Sequence, residues 1–583
     1  MTRPQTIEVN YGLAGQNGQA QHEAFCTFLP FASEVRNKKI WLAIIGCSCY
    51  ILSASIVRRC SAVPASSKLT QGQAHVQSPL VRCPSIAEPI GFTTLHIQHA
   101  FTFRNRIRHG GLLMTTSATA TAPQNFWASI WEAIQGSHQD FTTGNLNRAI
   151  LLLAIPMVLE MVLESLFAVV DVFWVGRLGA DAVATVGLTE SLLTLVFAVA
   201  MGLSLSTTAM VARRIGEKDS EGAAVAAVQA VALGIVISLL MGVPCLFFAP
   251  RLLRAMGASP QILAVGGNYA RVMLGTSGVI LLLFLNNAIF RGAGDAAIAM
   301  RLLWVSNIIN LILDPCLIFG LGPFPKLGVT GAAVSTLTGR SIGVGYQICR
   351  LLQGTERIRI LRSQIRLNFA ILLRLMRISL TGIMQFAIAH TSWIALVRIV
   401  STFGAAALAG YTIGIRIIIF VILPSWGLSN AAATLVGQNL GARQPERAAS
   451  SVWRTGFYNM LFLGGVGVFF IFFAEPMARL FTHDPVVVPL AASCLRILSY
   501  GNIGYAYGMV MLQAFNGAGD TVTPTLVNLF GFWFLEIPLA YGLAIWGRMH
   551  SDGVYFSIVV AEAAIALAGV LLFRRGRWKL QRI

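Results

Sequence analysis

Charged side chains are scarce in this sequence: 11% of its 583 residues are Asp, Glu, Lys or Arg, where soluble domains carry about 25%. That shortage excludes an ordinary soluble globular fold and a charge-rich disordered chain alike. Acid is scarcer than base, with 24 Asp and Glu against 43 Lys and Arg and a formal net charge of +19. Cysteine is thin and unpatterned. Cys245, Cys316, Cys349 and Cys494 lie in or beside apolar runs, the others precede residue 114, and none shows paired metal-ligand spacing, which excludes a disulfide framework and a structural zinc site. The motifs His-Glu-x-x-His and Gly-x-Ser-x-Gly are missing, and His390 is the one histidine inside a long apolar run. Without a nucleophile, base or metal constellation the chain is expected to be no enzyme and to need no cofactor.

What the chain has instead is apolar length. Apolar residues make up 55% of it, and the mean hydropathy is +0.69. From Leu151 onward, apolar stretches of roughly 20 residues follow one another, each the length a helix needs to cross a hydrocarbon core. The first six run at 148 to 175, 183 to 211, 222 to 248, 267 to 289, 297 to 320 and 327 to 349, and six more follow at the same spacing. Lipid offers no partner to an unpaired backbone group, and the runs are too long for barrel strands. The fold class is therefore an all-α membrane protein of twelve transmembrane helices.

The two sets of six are copies. Arg291-Gly292-Ala293-Gly294-Asp295 returns as Asn516-Gly517-Ala518-Gly519-Asp520, and the offset of 225 (291 to 516) recurs for Gly216 and Gly441, Glu221 and Glu446, Gly179 and Gly404, and Arg271 and Arg496. Neither Gly-Ala-Gly-Asp tract follows a strand or includes the Lys of a phosphate-binding loop, so both read as tight turns. An even number of spans per copy gives both the same orientation, as parallel repeats about an axis along the membrane normal. The basic residues gather in alternate loops: Arg213, Arg214 and Lys218, the linker from Arg350 to Arg377, and the tail Arg574, Arg575, Arg577, Lys579 and Arg582. This positive-inside pattern explains the net charge without nucleic acid and puts both termini and the linker in the cytoplasm.

The expected organisation is an atypical extension at 1–113, a cytoplasmic arm with an amphipathic lead-in helix at 114–147, a first six-helix lobe at 148–349, a basic linker at 350–377, a second lobe at 378–574 and a tail at 575–583. The extension holds no copy of the repeat, and its only apolar stretch, Ile40 to Val57, is short for a span. Upstream over-extension of a chain that starts at Met114 is the favoured reading.

Inside a bilayer an ionised carboxylate costs roughly 2.5 to 3.5 kcal/mol on insertion scales, so acids within spans are functional candidates. The first span places Glu160, Glu164 and Asp171 on one helical face. The fifth adds Asn310 and Asp314 one turn apart, and the sixth adds Ser335 and Thr336. By residue count, Asp171, Asp314 and Thr336 lie roughly 7 to 15 Å from the outer surface, at about 1.5 Å per residue. Two carboxylates in one low-dielectric pocket either hold a proton or bind a small cation such as Na+, for which amide and hydroxyl oxygens are suited donors. The bland alternatives are a pairing of Asp171 with Arg177 and a wetted Glu160 near the inner surface. Gln385 and His390 in the seventh span, Glu536 in the eleventh and Glu562 in the twelfth are further cavity candidates, and Pro156, Pro315, Pro424 and Pro538 imply kinks.

Together, Ile155-Pro156, Val170-Asp171-Val-Phe-Trp174-Val-Gly176, Ala212-Arg-Arg-Ile-Gly216, Arg291-Gly-Ala-Gly-Asp295, Asn310-Leu-Ile-Leu-Asp314-Pro315, Gly331-Ala-Ala-Val-Ser-Thr336 and Val436-Gly437-Gln438-Asn439-Leu440-Gly441 resemble the multidrug and toxic compound extrusion (MATE) family over about residues 140 to 575. The resemblance implies a V-shaped pair of six-helix lobes that exports amphipathic, often cationic small molecules in exchange for H+ or Na+. In the branch coupled through the amino-terminal lobe, the ion site is similar to Asp171, Asn310, Asp314 and Thr336 here, and a first-helix proline at the position of Pro156 bends as the site changes occupancy; Pro315, a kink directly beside Asp314, is a second hinge candidate read from the sequence itself. The other branch has an acid in its seventh helix, where this chain has Gln385 and His390 and no acid. Glu160, Glu164, Gln385, His390 and Glu536 are left as candidate substrate or proton contacts. The expected setting is a monomer in a bacterial-type inner membrane, with a small-molecule substrate and lipid as partners. The rival reading is a flippase for a lipid-linked saccharide, which shares related folds, and a channel is less well suited to repeats around an occluded site.

Overall fold

The computed structural model describes residues 126–583, apart from 138, 356 and 582; the extension expected at 1–113 lies outside the described residues. A short helix α1 (Phe126–Gln135) leads into six long ones: α2 (Leu146–Gly176), α3 (Ala180–Gly216), α4 (Ser220–Ala255), α5 (Pro260–Ala293), α6 (Ala296–Phe319) and α7 (Val329–Gln353). The second set is α8 (Phe369–Ser401), α9 (Ala405–Gly441), α10 (Pro445–Arg479), α11 (Val487–Ala518), α12 (Val522–Trp546) and α13 (His550–Arg574). No strand occurs among the described residues. Eleven of these helices are long and apolar enough to cross a membrane. The twelfth crossing is α7, whose Thr330, Ser335, Thr336, Arg340, Ser341 and Gln347 dilute its apolar character. A span can be this polar only where its polar face is buried in protein.

The repeat governs the backbone as well as the sequence. The bounds of α3 and α9 differ by the same offset of 225 at both ends (180 to 405, 216 to 441). Gly294 and Gly519 end α5 and α11 in the left-handed conformation, with φ of 88° and 87°, which relieves the last turn at little steric cost. Lys218 and Arg443, at equivalent positions after α3 and α9, share a positive φ of 62° and 58°. The copies diverge in two places. The helix α5 breaks at Thr276, where Gly275 leaves no room for a Cβ beside Leu246, whereas α11 runs through. And α12 passes through π-helical turns at Leu529–Glu536 and Gly542–Trp546, whereas α6 is α-helical throughout.

The lobes meet through α2 and α3 on one side and α8 and α9 on the other. Their contacts concentrate toward the end that carries the linker. There α3 crosses α9 so closely that a Cβ at Gly216 would strike the Gln438 carbonyl and one at Gly441 the Arg213 carbonyl, a reciprocal contact expected of pseudo-twofold repeats. Gln438 donates to the Gly292 carbonyl at 2.9 Å, and Ser206 Oγ lies 2.6 Å from Ser379 Oγ. Arg447 donates to the carbonyls of Phe141, Thr143 and Gly144, and Arg357 to those of Ser137 and Gln139. At the opposite end no hydrogen bond or ion pair joins the lobes among the described residues. The molecule is closed at the linker end.

Candidate functional site

The first lobe gathers its acids between α2, α6 and α7. On α6, Asp314 is fully buried, and its Oδ1 accepts from Asn310 Nδ2 at 3.3 Å and from Ser335 Oγ. Asn310 Nδ2 also lies 3.2 Å from Ser335 Oγ and from Thr336 Oγ1 on α7. The four side chains therefore form one hydrogen-bonded group. Asp171, on α2, is within electrostatic reach of Asp314, Glu190 and Arg340. Three buried acceptors here have no hydrogen-bond partner: Asp171 Oδ1, Asn310 Oδ1 and Asp314 Oδ2. Buried oxygens are paired in the great majority of cases, so three orphans in one locality leave acceptor capacity for a proton or a hard cation. A small apolar cluster that includes Val175, Val186, Tyr269, Ile318 and Ala332 packs beside them in the half of the lobe remote from the linker. Arg177 lies over the rings of Phe173 and Trp174, at 4.7 and 5.0 Å.

Arg340, Glu190 and Tyr269 were not singled out from sequence. Arg340 follows Thr336 by four residues on α7, hence on the same face. It donates to Glu164 at 3.1 Å, lies 5.1 Å from the Phe167 ring centroid and keeps a buried Nη1 without a partner. It is thus a resident cation among the carboxylates. Tyr269 of α5 is within electrostatic reach of Asp171, Glu190 and Asp314. A signal for Arg340 was present in the sequence, since a basic residue in mid-span is costly and needs a partner.

Glu160 stands apart from this group. It is 1% exposed rather than wetted, because Arg291 reaches it at 3.2 Å and Asn287 donates to it at 2.9 Å, with Gln347 donating in turn to Asn287 at 2.6 Å. The arginine of the first Gly-Ala-Gly-Asp tract is therefore its counter-ion. Gln385, Glu536 and His390 do not reach the first lobe's group either. They line a cavity of about 430 Å³ inside the second lobe, together with Glu562. His390 Nδ1 is 2.9 Å from the Phe386 carbonyl, and Ser392 Oγ donates to Glu536 at 2.8 Å. Pro156 and Pro315 lie inside α2 and α6, the latter directly after Asp314, where its missing N–H leaves the helix able to bend. Among the described residues no group of three or more His, Cys, Asp or Glu could hold a metal ion.

At the linker end, Lys218 donates to Asp140 in the turn between α1 and α2. Burial would raise the Asp140 carboxyl, but hydrogen bonds from Lys218 and Thr142 and the charge of Lys218 outweigh it and hold the group at about 2.

The MatE family model matches residues 156–316 and 383–542, most of both lobes. The chain is 25% identical to the probable multidrug resistance protein NorM of Thermotoga maritima over 443 residues, 75% of this chain and 94% of that protein. It is 26% identical to the FAD transporter of Shewanella oneidensis over 401 residues, 68% of this chain and 87% of that protein. A crystal structure of a MATE protein in the straight conformation superposes with a TM-score of 0.71 at 27% identity, covering 77% of this chain and 99% of that one.

Proposed function

Because the chain belongs to the MatE family of membrane transporters, we propose that it is a secondary active antiporter that exports amphipathic, cationic small molecules in exchange for H+ or Na+. It is a transporter and not an enzyme. The observation that supports ion coupling is the set of unpartnered buried oxygens on Asp171, Asn310 and Asp314. An incoming proton or Na+ neutralises a site that is otherwise rich in acid, and Thr336 adds a hydroxyl to its donors. Neutralisation removes repulsion between α2 and α6, the two helices that hold Pro156 and Pro315, so occupancy and helix bending are linked. Alternating access then follows from rocking of the two lobes about the crossing of α3 and α9. The distribution of Lys and Arg supports a cytoplasmic linker end, which makes the closed end the inner one and the state outward-directed. Both the ion group and the large cavity are complete within one chain, which fits a monomeric transporter in a bacterial-type inner membrane. The relatives do not favour the flippase reading.

The test is efflux of a fluorescent cationic dye from liposomes under separately imposed Na+ and pH gradients, with a lipid-linked saccharide as control cargo. Asp171→Asn and Asp314→Asn are expected to abolish gradient-driven efflux. Wild-type exchange by both variants would sink the assignment.

A further inference from the structure

The helices α3 and α9 touch at Gly216 and Gly441 near the closed end, and each carries a charged side chain, Glu190 and Arg416, in its other half. Glu190 lies 26 residues before Gly216 (190 to 216) and Arg416 lies 25 before Gly441 (416 to 441). Two helices that touch at equivalent residues of a pseudo-twofold repeat bring residues equally far from that contact to one level. Glu190 and Arg416 therefore stand at matching heights on opposite lobes. That height is ten and eleven residues from the first residues of α3 and α9 (180 to 190, 405 to 416), or about 15 Å from the open end at 1.5 Å per residue. Neither charge is inherited from the repeat, since Glu190 aligns with Ile415 and Arg416 with Ser191.

Both residues belong to the faces that look across the gap between the lobes. At about 3.6 residues per turn, Glu190 shares its face of α3 with Met201 and Thr208, and Arg416 shares its face of α9 with Leu423 and Asn430. All four of these residues line a crevice of about 60 Å³ between the lobes. In keeping with that placement, Arg416 is the cation within electrostatic reach of Glu190, although the two sit on different lobes. Yet they do not touch. Both are exposed, and neither side chain makes a hydrogen bond or ion pair among the described residues. A carboxylate and a guanidinium kept apart within spanning helices are costly features, and such residues are held for a partner or a function.

We propose that Glu190 and Arg416 are the closing pair of the open end: as the lobes rock together there, the carboxylate meets the guanidinium and ties α3 to α9. Carboxylate and guanidinium match in a two-bonded geometry that gives such a contact direction as well as strength. Glu190 is also within electrostatic reach of Asp171 and Tyr269. The pair therefore closes beside the ion group and shuts it off from the open side. One set of contacts between the lobes, the reciprocal glycine crossing and the Ser206–Ser379 hydrogen bond, is exchanged for another at the far end of the same two helices. The proposal rests on the rocking of the lobes and assigns two residues to the half of the cycle opposite to the present state.

The experiment uses the full chain in liposomes, without its native cysteines and with nitroxide labels on Ala180→Cys and Ala405→Cys, the exposed first residues of α3 and α9. Double electron–electron resonance then reads the distance across the open end. Wild type is expected to show a long population, the present state, and a shorter one in which the lobes have closed there. Glu190→Gln and Arg416→Gln are each expected to reduce the short population at least about threefold, and the double variant no further than either single, as coupled partners do. Arg416→Lys keeps the charge and is expected to stay within about twofold of wild type. A long population of unchanged width reports that each variant keeps its fold. A short population that survives both single variants, or losses that multiply in the double, would overturn the pair and leave the rocking of the lobes intact. Wild type with no short population would overturn the rocking itself, and the pair with it.

Discussion

The two lobes share a backbone plan and differ in where they put charge. Asp171 aligns with Leu396, Asp314 with Leu539, Thr336 with Ala561 and Arg340 with Ile565, while Glu536 and Glu562 align with Leu311 and Leu337. No acid of one lobe's buried group has an acid opposite it in the other. The contrast is sharpest at the paired positions Glu160 and Gln385, Arg291 and Asn516. The first lobe makes them a buried ion pair and the second makes them neutral amides. Duplication therefore supplied helix lengths, turns and the reciprocal crossing of α3 with α9, and each copy then acquired its own polar interior. In the first, hydroxyl, amide and carboxyl oxygens gather in one hydrogen-bonded group; in the second, two acids stand in the wall of a cavity of about 430 Å³.

Moving the charge between copies gives the largest expected effect. Asp171→Leu combined with Leu396→Asp keeps composition constant, and ion-driven efflux is expected to fall at least tenfold, because Leu396 has no counterpart of Asn310, Ser335 and Thr336 around it. Recovery of efflux by the double variant, measured in liposomes under an imposed gradient, would erase the distinction between the lobes.

The next effect is on stability. Glu160→Gln alone strands the Arg291 guanidinium in the interior, and losing one partner of a buried pair costs about 3–5 kcal/mol. Glu160→Gln with Arg291→Asn copies the second lobe, and replacing both charges is expected to return the protein to within about 1 kcal/mol of wild type, since neutral replacement of a buried pair is often tolerated. Unfolding of the purified protein in detergent measures both. Equal losses for the single and double variants would show that the network from Glu160 to Gln347 depends on more than the charge pair.

Much of this asymmetry was open to reading from sequence. The twelve runs, the offset of 225 and the one-turn spacing of Asn310 and Asp314 follow from hydropathy and helical period, which are local signals, whereas Thr336, on the next helix, joins them by its depth in the span and by the family resemblance. The Glu160–Arg291 pair joins residues 131 positions apart, and nothing local announces it. The π-turns of α12 were hidden as well, because Leu529–Glu536 is almost wholly apolar and reads as an ordinary span. The cost of Arg340 in mid-span is visible in the sequence, but its partner Glu164, 176 positions away, is not.

The lobe contact offers a symmetric test, because both copies contribute to it equally. With Ser206 and Ser379 side-chain oxygens 2.6 Å apart, Ser206→Cys with Ser379→Cys is expected to cross-link under mild oxidation in a background without the native cysteines. The linker end is then locked shut, and efflux stops until a reductant is added. In contrast to the charge exchange, Gly216→Ala and Gly441→Ala are expected to impair closure to similar degrees, since each Cβ meets the carbonyl of the opposite copy. Cross-linking yield at 206 and 379 in each glycine variant reads this directly.

The smallest effect lies at the surface and again separates the copies. Lys218 and Arg443 occupy equivalent turns with the same unusual backbone conformation, yet Lys218 pairs with Asp140 whereas Arg443 makes no ion pair among the described residues. The Asp140 carboxyl is held at about 2, below its ordinary 3.8. A carboxyl depressed by folding contributes stability above its unfolded value and loses it as the pH falls toward the folded one. The contribution is therefore constant from roughly pH 5 upward until lysine itself titrates, and fades only in strong acid. Because the pair is exposed, Lys218→Met is expected to cost no more than about 1 kcal/mol, less in high salt, and Arg443→Met close to nothing. Unfolding midpoints at two salt concentrations compare them. A cost that is equal in the two turns would mean that the backbone conformation they share, and not the Asp140 clasp found only in the first copy, sets the stability of this end of the bundle.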